Sequence, residues 1–445
     1  MKDNAKYILF AIILSIITIA ISHFVQPEIS YNNGLGWDGV NYHQMAEQSA
    51  KGEQISTKAP FVSRVGLPYL VAKIFPDNIK SGFLYLNWLF SILNSILLAL
   101  LLARFINRNW VIYLLVFFYI TQWHGYHRFG SFYPVQVDPL AISLILASLL
   151  VLLKRGITLL DIILLSAITL FGTFVREIVV IPSLLILAKA YFYYKKSKFI
   201  TESSASNSLA ELVEAKDSAK LTSMVAERGR STGSVNLIQV NKHLLVLPLI
   251  FFLIVYAIIA LAVEPTNSHK FYNAAADMLY TKSLFRFFHS WVVAYGAVII
   301  VPVLFYRQTI DYLKQHKIMA TYLAIIFVFS YIGGADTERI AYWGFPVVFI
   351  LAGRILDEIE LTKANKNFLY ALLLIQVVSQ RLFSIIPDYP SNCDSTTVLL
   401  TPIGNCFPYL NLFPAHSELI PAVIGFAEWG VVIVVLWWWK RRVLK

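Results

Sequence analysis

The densest chemistry in the chain lies in residues 36–64. They read Gly36-Trp37-Asp38-Gly39-Val40-Asn41-Tyr42-His43, then a polar run containing Glu47, then Ala59-Pro60-Phe61-Val62-Ser63-Arg64. An acid, an imidazole and a guanidinium are thereby gathered just after the first strongly apolar segment. A carboxylate such as Asp38, set at a membrane surface, has the chemistry of a general base toward an incoming hydroxyl. Arginine presents a rigid fork of donors that suits a lipid-linked phosphate or diphosphate, whose anionic oxygens it binds two at a time. Trp37 and Tyr42 offer flat faces to a sugar ring, or belong to an interfacial aromatic belt; of the two, Trp37 stands out because it adjoins Asp38.

Further groups of the same kind recur along the chain. His124, His127, Arg128 and Asp138 follow one apolar run, Arg176-Glu177 sit in a tight turn, and Glu264, His269, Lys270, Asp277 and Arg286 follow another run. Asp336-Thr337-Glu338-Arg339 come after Gly333-Gly334, and Gln380-Arg381 end a late apolar run. Charge at membrane depth is costly unless paired or wet, so each is a functional candidate, with a helix-tying role as the alternative. Arg176, for example, has Glu177 or Asp138 as a partner for that role.

Two metal sites are conceivable, and the spacing decides between neither. His124 and His127 with Asp138 suit zinc, although no second short-spaced pair accompanies them. Asp38, Glu47, Asp336 and Glu338 suit Mg²⁺ or Mn²⁺. No phosphate-cradling glycine loop, no GxSxG elbow and no nucleotide signature is present, which argues against a cytosolic nucleotide-sugar donor.

The elements that must carry these residues follow from composition. The chain has 445 residues, is 58% hydrophobic and only 14% charged, with mean hydropathy +0.64. A soluble surface needs more charge than that. Apolar runs recur at 7–25, 83–104, 110–122, 139–153, 157–174, 177–194, 244–263, 291–306, 318–332, 341–356, 367–386 and 421–439. The reading is an all-α polytopic membrane protein of about twelve spanning helices, with both termini cytoplasmic. The first run has no small-residue cleavage site after it and reads as an uncleaved span. Residues 61–76 are too short and too rich in Pro and basic residues to cross, and read as lying along the interface.

This assignment places Lys154-Arg155, Lys195-Lys196-Ser197-Lys198, Arg307…Lys317, Lys363…Lys366 and Lys440-Arg441-Arg442 in cytoplasmic turns, as the positive-inside rule requires. The net charge of +11 is therefore topology, and nucleic acid is not an expected partner. The domain reading is an N-terminal membrane region (1–196) whose first external loop (26–81) carries Asp38, a polar cytoplasmic connector (197–243), and a C-terminal membrane region (244–445). Cys393 and Cys406 fall in one external loop, as a disulfide or as two thiols. Asn87 and Asn94, two helical turns apart within one span, suit interhelical hydrogen bonds, and Glu428 in the last span suits a buried partner.

With these motifs in hand, the chain resembles the GT-C superfamily of membrane glycosyltransferases. The resemblance rests on Trp37-Asp38-Gly39-Val40-Asn41-Tyr42 in the first external loop and on Ala59-Pro60-Phe61-Val62-Ser63-Arg64-Val65-Gly66-Leu67-Pro68, which is similar to a pattern of bacterial members. Val137-Asp138-Pro139-Leu140-Ala141, Val175-Arg176-Glu177 and Gly334-Ala335-Asp336-Thr337-Glu338-Arg339 are further echoes. The resemblance implies two helices lying along the membrane at 41–50 and 61–76. It also implies an inverting transfer from a polyprenyl-phosphate-linked sugar donor on the extracytoplasmic face of the cell (inner) membrane. Asp38 would be the general base, and Arg339 with Arg176 or Arg64 would hold the carrier phosphate. Arg128, His127, Glu177, Asp336, Glu338, Trp37 and Tyr42 complete the candidate substrate-binding set.

The chain departs from larger members in two ways: no C-terminal soluble domain is expected, and Asp38 is preceded by Trp37 rather than by a second Asp. Both favour a small glycan, lipid or surface-polymer acceptor. A glycan polymerase or ligase with a diphosphate-linked donor is the runner-up. A transporter or flippase is the third reading; it would need polar groups near the bilayer midplane.

Overall fold

The computed structural model describes residues 4–123, 125–154, 156–192, 242–262, 264–265, 275–276, 278–280, 282–334, 337–360, 362–383, 385–386, 388 and 419–443. His124, Asp336, the connector 197–241, the loop residues His269, Lys270 and Asp277, both cysteines and the Arg286 side chain lie outside the described residues.

The fold is all-α. Helix α1 (Asn4–Val25) is uncharged between Lys6 and His23 and turns Ile13, Ile16, Ile17 and Ile21 outward, each about half exposed. Its inward face is lined with small residues, so that Ser15 meets Ser95 of α4 (Ile79–Phe105) at 3.0 Å. Between these two long helices lie α2 (Gly39–Lys51) and α3 (Gly66–Ile74), both amphipathic and packed on one another. They fall where the resemblance implies helices lying along the membrane, and nine residues at 1.5 Å rise leave α3 far too short to cross.

Helices α5 (Asn109–Thr121), α6 (Tyr126–Phe132), α7 (Asp138–Leu152) and α8 (Leu159–Val175) follow. A capping box starts α8: the Thr158 hydroxyl accepts from the Asp161 N–H (3.2 Å), and the Asp161 carboxylate accepts from the Thr158 N–H (3.0 Å). Helical residues 180–192 (α9) and α10 (Leu247–Ala262) complete the first group. Then come α11 (Leu284–Tyr295), α12 (Ala297–Leu304), α13 (Tyr306–Gln315), α14 (Lys317–Ile332), α15 (Thr337–Tyr342), α16 (Phe345–Glu358), α17 (Lys363–Ser379) and α18 (Leu419–Val443).

The expected span at 291–306 is not one straight helix. Gly296 breaks it with φ +58°, a region glycine alone enters freely, and α11 and α12 diverge by 111°. The freed backbone is satisfied from α17: the Ala297 N–H donates to Gln376 Oε1 (2.8 Å), and Gln380 Nε2 donates to the Val293 carbonyl (3.3 Å). A second bend of 113° separates α13 from α14; α13 carries Arg307, Asp311 and Lys314, and no residue of it is fully buried, Tyr312 and Leu313 being partly covered against the core.

Among the described residues two helices, α1 and α4, are long and apolar enough to cross a bilayer, or four if each bent pair counts as one. The runs expected at 110–122 and 139–153 are helical, but at 13 and 15 residues each is shorter than the roughly 20 that a lone crossing takes.

The bundle has two polar ends. At one, the Asn107 and Arg108 N–H groups donate to Asp357 (2.9 and 2.6 Å), Lys154 pairs with Asp161 (2.6 Å), and Lys189 donates to the Leu152 and Lys154 carbonyls (2.6 and 2.7 Å). The other end carries Asp38. There a two-residue parallel pairing, Ser56–Thr57 against Glu264–Pro265, joins the first loop to the loop that follows α10.

Candidate functional site

Asp38 ends a turn whose shape glycine and asparagine make possible. Asn32, Asn33, Gly34 and Gly36 all have positive φ, and Asn32 Nδ2 donates to the Gly36 carbonyl (2.8 Å). The aromatic ring of Tyr133 packs against this turn. A Cβ on Gly36 would lie 2.3 Å from it, and one on Gly39 would meet Val135 at 2.9 Å. The Gly39 N–H donates to the Tyr133 hydroxyl (2.8 Å), and the Trp37 ring meets that of Tyr133 edge-on at 5.7 Å. The two glycines flanking Trp37-Asp38 thus let Tyr133 hold the turn. Asp38 itself is the N-cap of α2 but makes no side-chain cap bond, which leaves its carboxylate available.

That carboxylate faces Arg339 of α15, whose Nη2 donates to Asp38 Oδ2 at 3.0 Å. Lys282 Nζ donates to the carbonyls of Ser330 in α14 (3.0 Å) and of Gly334 just beyond it (2.7 Å). Two more ion pairs stand nearby. Arg64 Nε donates to both Glu177 oxygens at 3.2 Å, and its Nη1 donates to the Tyr42 hydroxyl (3.0 Å). Arg176, at the end of α8, is paired with Asp138, the first residue of α7, and its guanidinium lies 4.5 Å from the Trp343 ring centroid.

Among the described residues, three arginine–carboxylate pairs thus stand together: Arg339 with Asp38, Arg64 with Glu177 and Arg176 with Asp138. The matches differ in exposure. The Asp38 and Arg339 side chains keep 21% and 19% of their surface, whereas Asp138 and Arg176 keep 3% and 5%. A ligand has access to the first pair and not to the second. Burial pushes the Asp38 carboxyl up, but Arg339 first, then Arg64 and Arg176, outweigh it and hold it below the usual carboxylate range.

The sequence candidates therefore divide. Asp38, Arg64, Arg176, Glu177, Arg339 and Tyr42 converge on one place, and Asp138 and Trp343 join them. Tyr42 is 2% exposed, so it serves Arg64 and offers no open face to a sugar. Trp37 is partly exposed, and Glu338 is buried in the first turn of α15. Two candidates are placed elsewhere. His127 is fully buried against Ser15 and Ser95, with Nε2 at 3.1 and 2.8 Å. Arg128 donates to the carbonyls of Gln380 (2.8 Å), Arg381 (2.9 Å) and Thr121 (3.3 Å), where a cation complements the C-terminal end of α17.

His43 and Glu47 face each other at 3.6 Å, but among the described residues no three His, Cys, Asp or Glu side chains are grouped as a metal would need. The interhelical bond expected of the asparagines is seen for Asn94, whose Nδ2 donates to the Pro139 carbonyl in the first turn of α7 (2.9 Å); Asn87 instead binds a loop, its Nδ2 donating to the Pro134 and Gln136 carbonyls (2.7 and 3.1 Å) just before Asp138.

Sequence reasoning missed the role of Tyr133 and the turn before Asp38. The run Asn32-Asn33-Gly34-Leu35-Gly36 was the available signal for the turn; nothing local announces Tyr133. It also missed a cleft of about 370 Å³ beside α2, lined by Tyr31, Trp37, Asn41, Gln44, Thr57 and Lys58 among others.

No protein-family model matches the chain, and neither a curated protein nor a solved structure matches it.

Proposed function

We propose that the chain is a multi-pass glycosyltransferase of the GT-C type. In this reading it has about twelve spans and cytoplasmic termini, and the polar end carrying Asp38 faces outward from the cell (inner) membrane. It moves a sugar from a polyprenyl-phosphate carrier to a hydroxyl on a glycan or lipid acceptor, with inversion. The observation that carries this reading is the partly exposed Asp38–Arg339 pair (3.0 Å) set near two further arginines and beside two amphipathic helices. A base and a phosphate-binding fork are adjacent there, where a lipid-borne donor can reach both.

The residues divide the work as follows. The donor phosphate draws Arg339 from Asp38, so that binding the donor also frees the base. Asp38 then takes the acceptor hydroxyl proton as that oxygen attacks the anomeric carbon from the face opposite the phosphate. The anomeric C–O bond breaks, and its electron pair leaves with the carrier phosphate. Arg339 compensates the charge on that phosphate directly, and Arg64 and Arg176 contribute through their field. Asp138 and Glu177 keep the last two arginines fixed and charged.

The test is a comparison of surface glycans and lipid-linked sugars from host strains lacking the gene, or carrying it as wild type or Asp38→Asn. A sugar lost on deletion and restored by wild type alone supports the mechanism and names the substrate. Rescue by Asp38→Asn removes Asp38 as the base. No change in any glycan refutes the transferase and turns attention to transport.

A further inference from the structure

We infer that the cleft beside α2 is a sugar-binding subsite for a negatively charged hexose, the unit that presents the acceptor hydroxyl. The word acceptor rests on the transferase reading; the binding of the sugar does not. The cleft of about 370 Å³ is at the lower end of the ~300–1,000 Å³ typical of small-ligand sites, which suits a single sugar unit. Its walls combine the two things carbohydrate recognition needs, flat apolar faces and paired donors and acceptors. Tyr31 and Trp37 line it with ring centroids 6.0 Å apart.

Asn41 and Gln44 stand one helical turn apart on α2, and each uses half of its amide within the protein. The Asn41 oxygen accepts from the Thr57 hydroxyl (2.9 Å), and the Gln44 N–H donates to the Ser56 carbonyl (3.1 Å). What remains is an N–H₂ donor from Asn41 and a carbonyl acceptor from Gln44, a pair that fits neighbouring ring hydroxyls. The wall carrying Thr57 is held by its pairing with Glu264–Pro265.

Charge and position supply the rest. Lys58 is the one charged residue lining the cleft, and no acid shares the lining. Lys58 is exposed and makes no ion pair among the described residues. A carboxylate or phosphate on the sugar would be its partner. The cleft begins at Trp37, one residue from Asp38. Trp37 of the lining directly precedes Asp38 in the chain, so the cleft and the proposed base lie on the same turn, with Cα atoms ~3.8 Å apart at that step.

The experiment uses full-length protein in lipid nanodiscs and saturation-transfer NMR with four probes: methyl glucuronide, glucose 6-phosphate, methyl glucoside and an uncharged polyol of similar size. Contact with the two anionic sugars, weaker contact with the neutral glycoside and none with the polyol are expected. Which anion binds better tells carboxylate from phosphate. Lys58→Gln should weaken the anionic probes by roughly threefold, as for an exposed ion pair, and leave the glucoside unchanged. Gln44→Ala should weaken all three sugars.

No contact with any sugar, or contacts indifferent to Gln44→Ala, would overturn the subsite. Equal losses of charged and neutral probes in Lys58→Gln would overturn its charge preference. Asp38→Asn separates this inference from the transferase. If that variant binds the sugars as wild type does but loses transfer, both readings stand. If wild type transfers in an Asp38-dependent way yet binds no probe, the subsite alone fails. If it binds the probes but transfer ignores Asp38, the mechanism alone fails.

Discussion

Replacing Arg339 by glutamine separates its pairing with Asp38, seen in the structure, from the phosphate-binding role proposed for it. Its Nη2 is 3.0 Å from Asp38 Oδ2, and both groups are about four-fifths covered. With charge centres ~4 Å apart and an effective dielectric of ~20, their attraction has a ceiling of about 4 kcal/mol, which partial exposure and salt reduce. Asp38 acts as a base only when ionised, so activity falls as pH drops through its folded pKa.

In the wild type that pKa is held low, against burial, chiefly by Arg339. Removing Arg339 leaves burial less opposed, so the acid limb of kcat/KM moves to higher pH. Losing a donor to the leaving phosphate should separately lower the plateau by ~10²–10³-fold. Stability follows the same sign. A depressed carboxylate pKa adds stability above the unfolded value of about 3.9, and that contribution fades as pH falls through the folded pKa. The variant should therefore lose less melting temperature on acidification than the wild type does. The assay is a pH–rate profile with the lipid-linked donor found by the glycan comparison, run beside melting curves over the same range. A lowered plateau with an unmoved acid limb would refute the claim that Arg339 sets the charge state of Asp38.

Gly36→Ala meets both a φ of +67° and a Cβ 2.3 Å from the Tyr133 ring, and should cost about 2–4 kcal/mol in thermal or denaturant unfolding. Adding Tyr133→Ala should return the overlap part and not the backbone part. Arg64→Gln and Glu177→Gln should be non-additive, with a coupling of about 1–3 kcal/mol in a double-mutant cycle of melting measurements; simple additivity would mean that the pair at 3.2 Å does not act as a unit. Arg128→Leu removes two good charge-assisted bonds to carbonyls and should cost about 2–4 kcal/mol of stability while leaving the donor KM within about twofold. A large rise in KM would return Arg128 to the substrate-binding set.

Much of this arrangement could be read in the linear chain because it depends on local pattern. Hydropathy marks the apolar runs, and the short, Pro- and Lys-bearing stretch 61–76 reads as lying along the interface; the helix at 41–50 is expected from the resemblance alone, and the two helices found are Gly39–Lys51 and Gly66–Ile74. Among the described residues Arg108, Lys154 and Lys189 gather at one end with Asp161 and Asp357, and Asp38 with its arginines at the other. What stayed hidden is pairing over distance. Asp38 and Arg339 are 301 residues apart, and nothing beside either names the other. The same holds for Arg176, for which Asp138 and Glu177 were equal prospects until packing brought α7 to α8. His127 and Arg128 carry functional-looking side chains, but burial against serines and helix-end carbonyls spends them. The break at Gly296 lies between apolar residues on both sides, so a hydropathy window cannot register it; the glutamines that repair it come from α17.

The polar ends of the bundle are shared between two stretches of chain. Asp38 from the stretch before residue 193 meets Arg339 from the stretch after residue 241. Arg128 from the first holds the Gln380 and Arg381 carbonyls of the second, and Asp357 from the second holds the Asn107 and Arg108 amides of the first. Ser56–Thr57 and Glu264–Pro265 add a backbone seam between them. Each stretch supplies one member of the Asp38–Arg339 pair, so under the proposed mechanism neither alone has a complete centre. Co-expressed as separate polypeptides divided within 193–241, they carry the complementary surfaces for reassembly, and activity recovered by such complementation would report directly on the contacts that cross this seam.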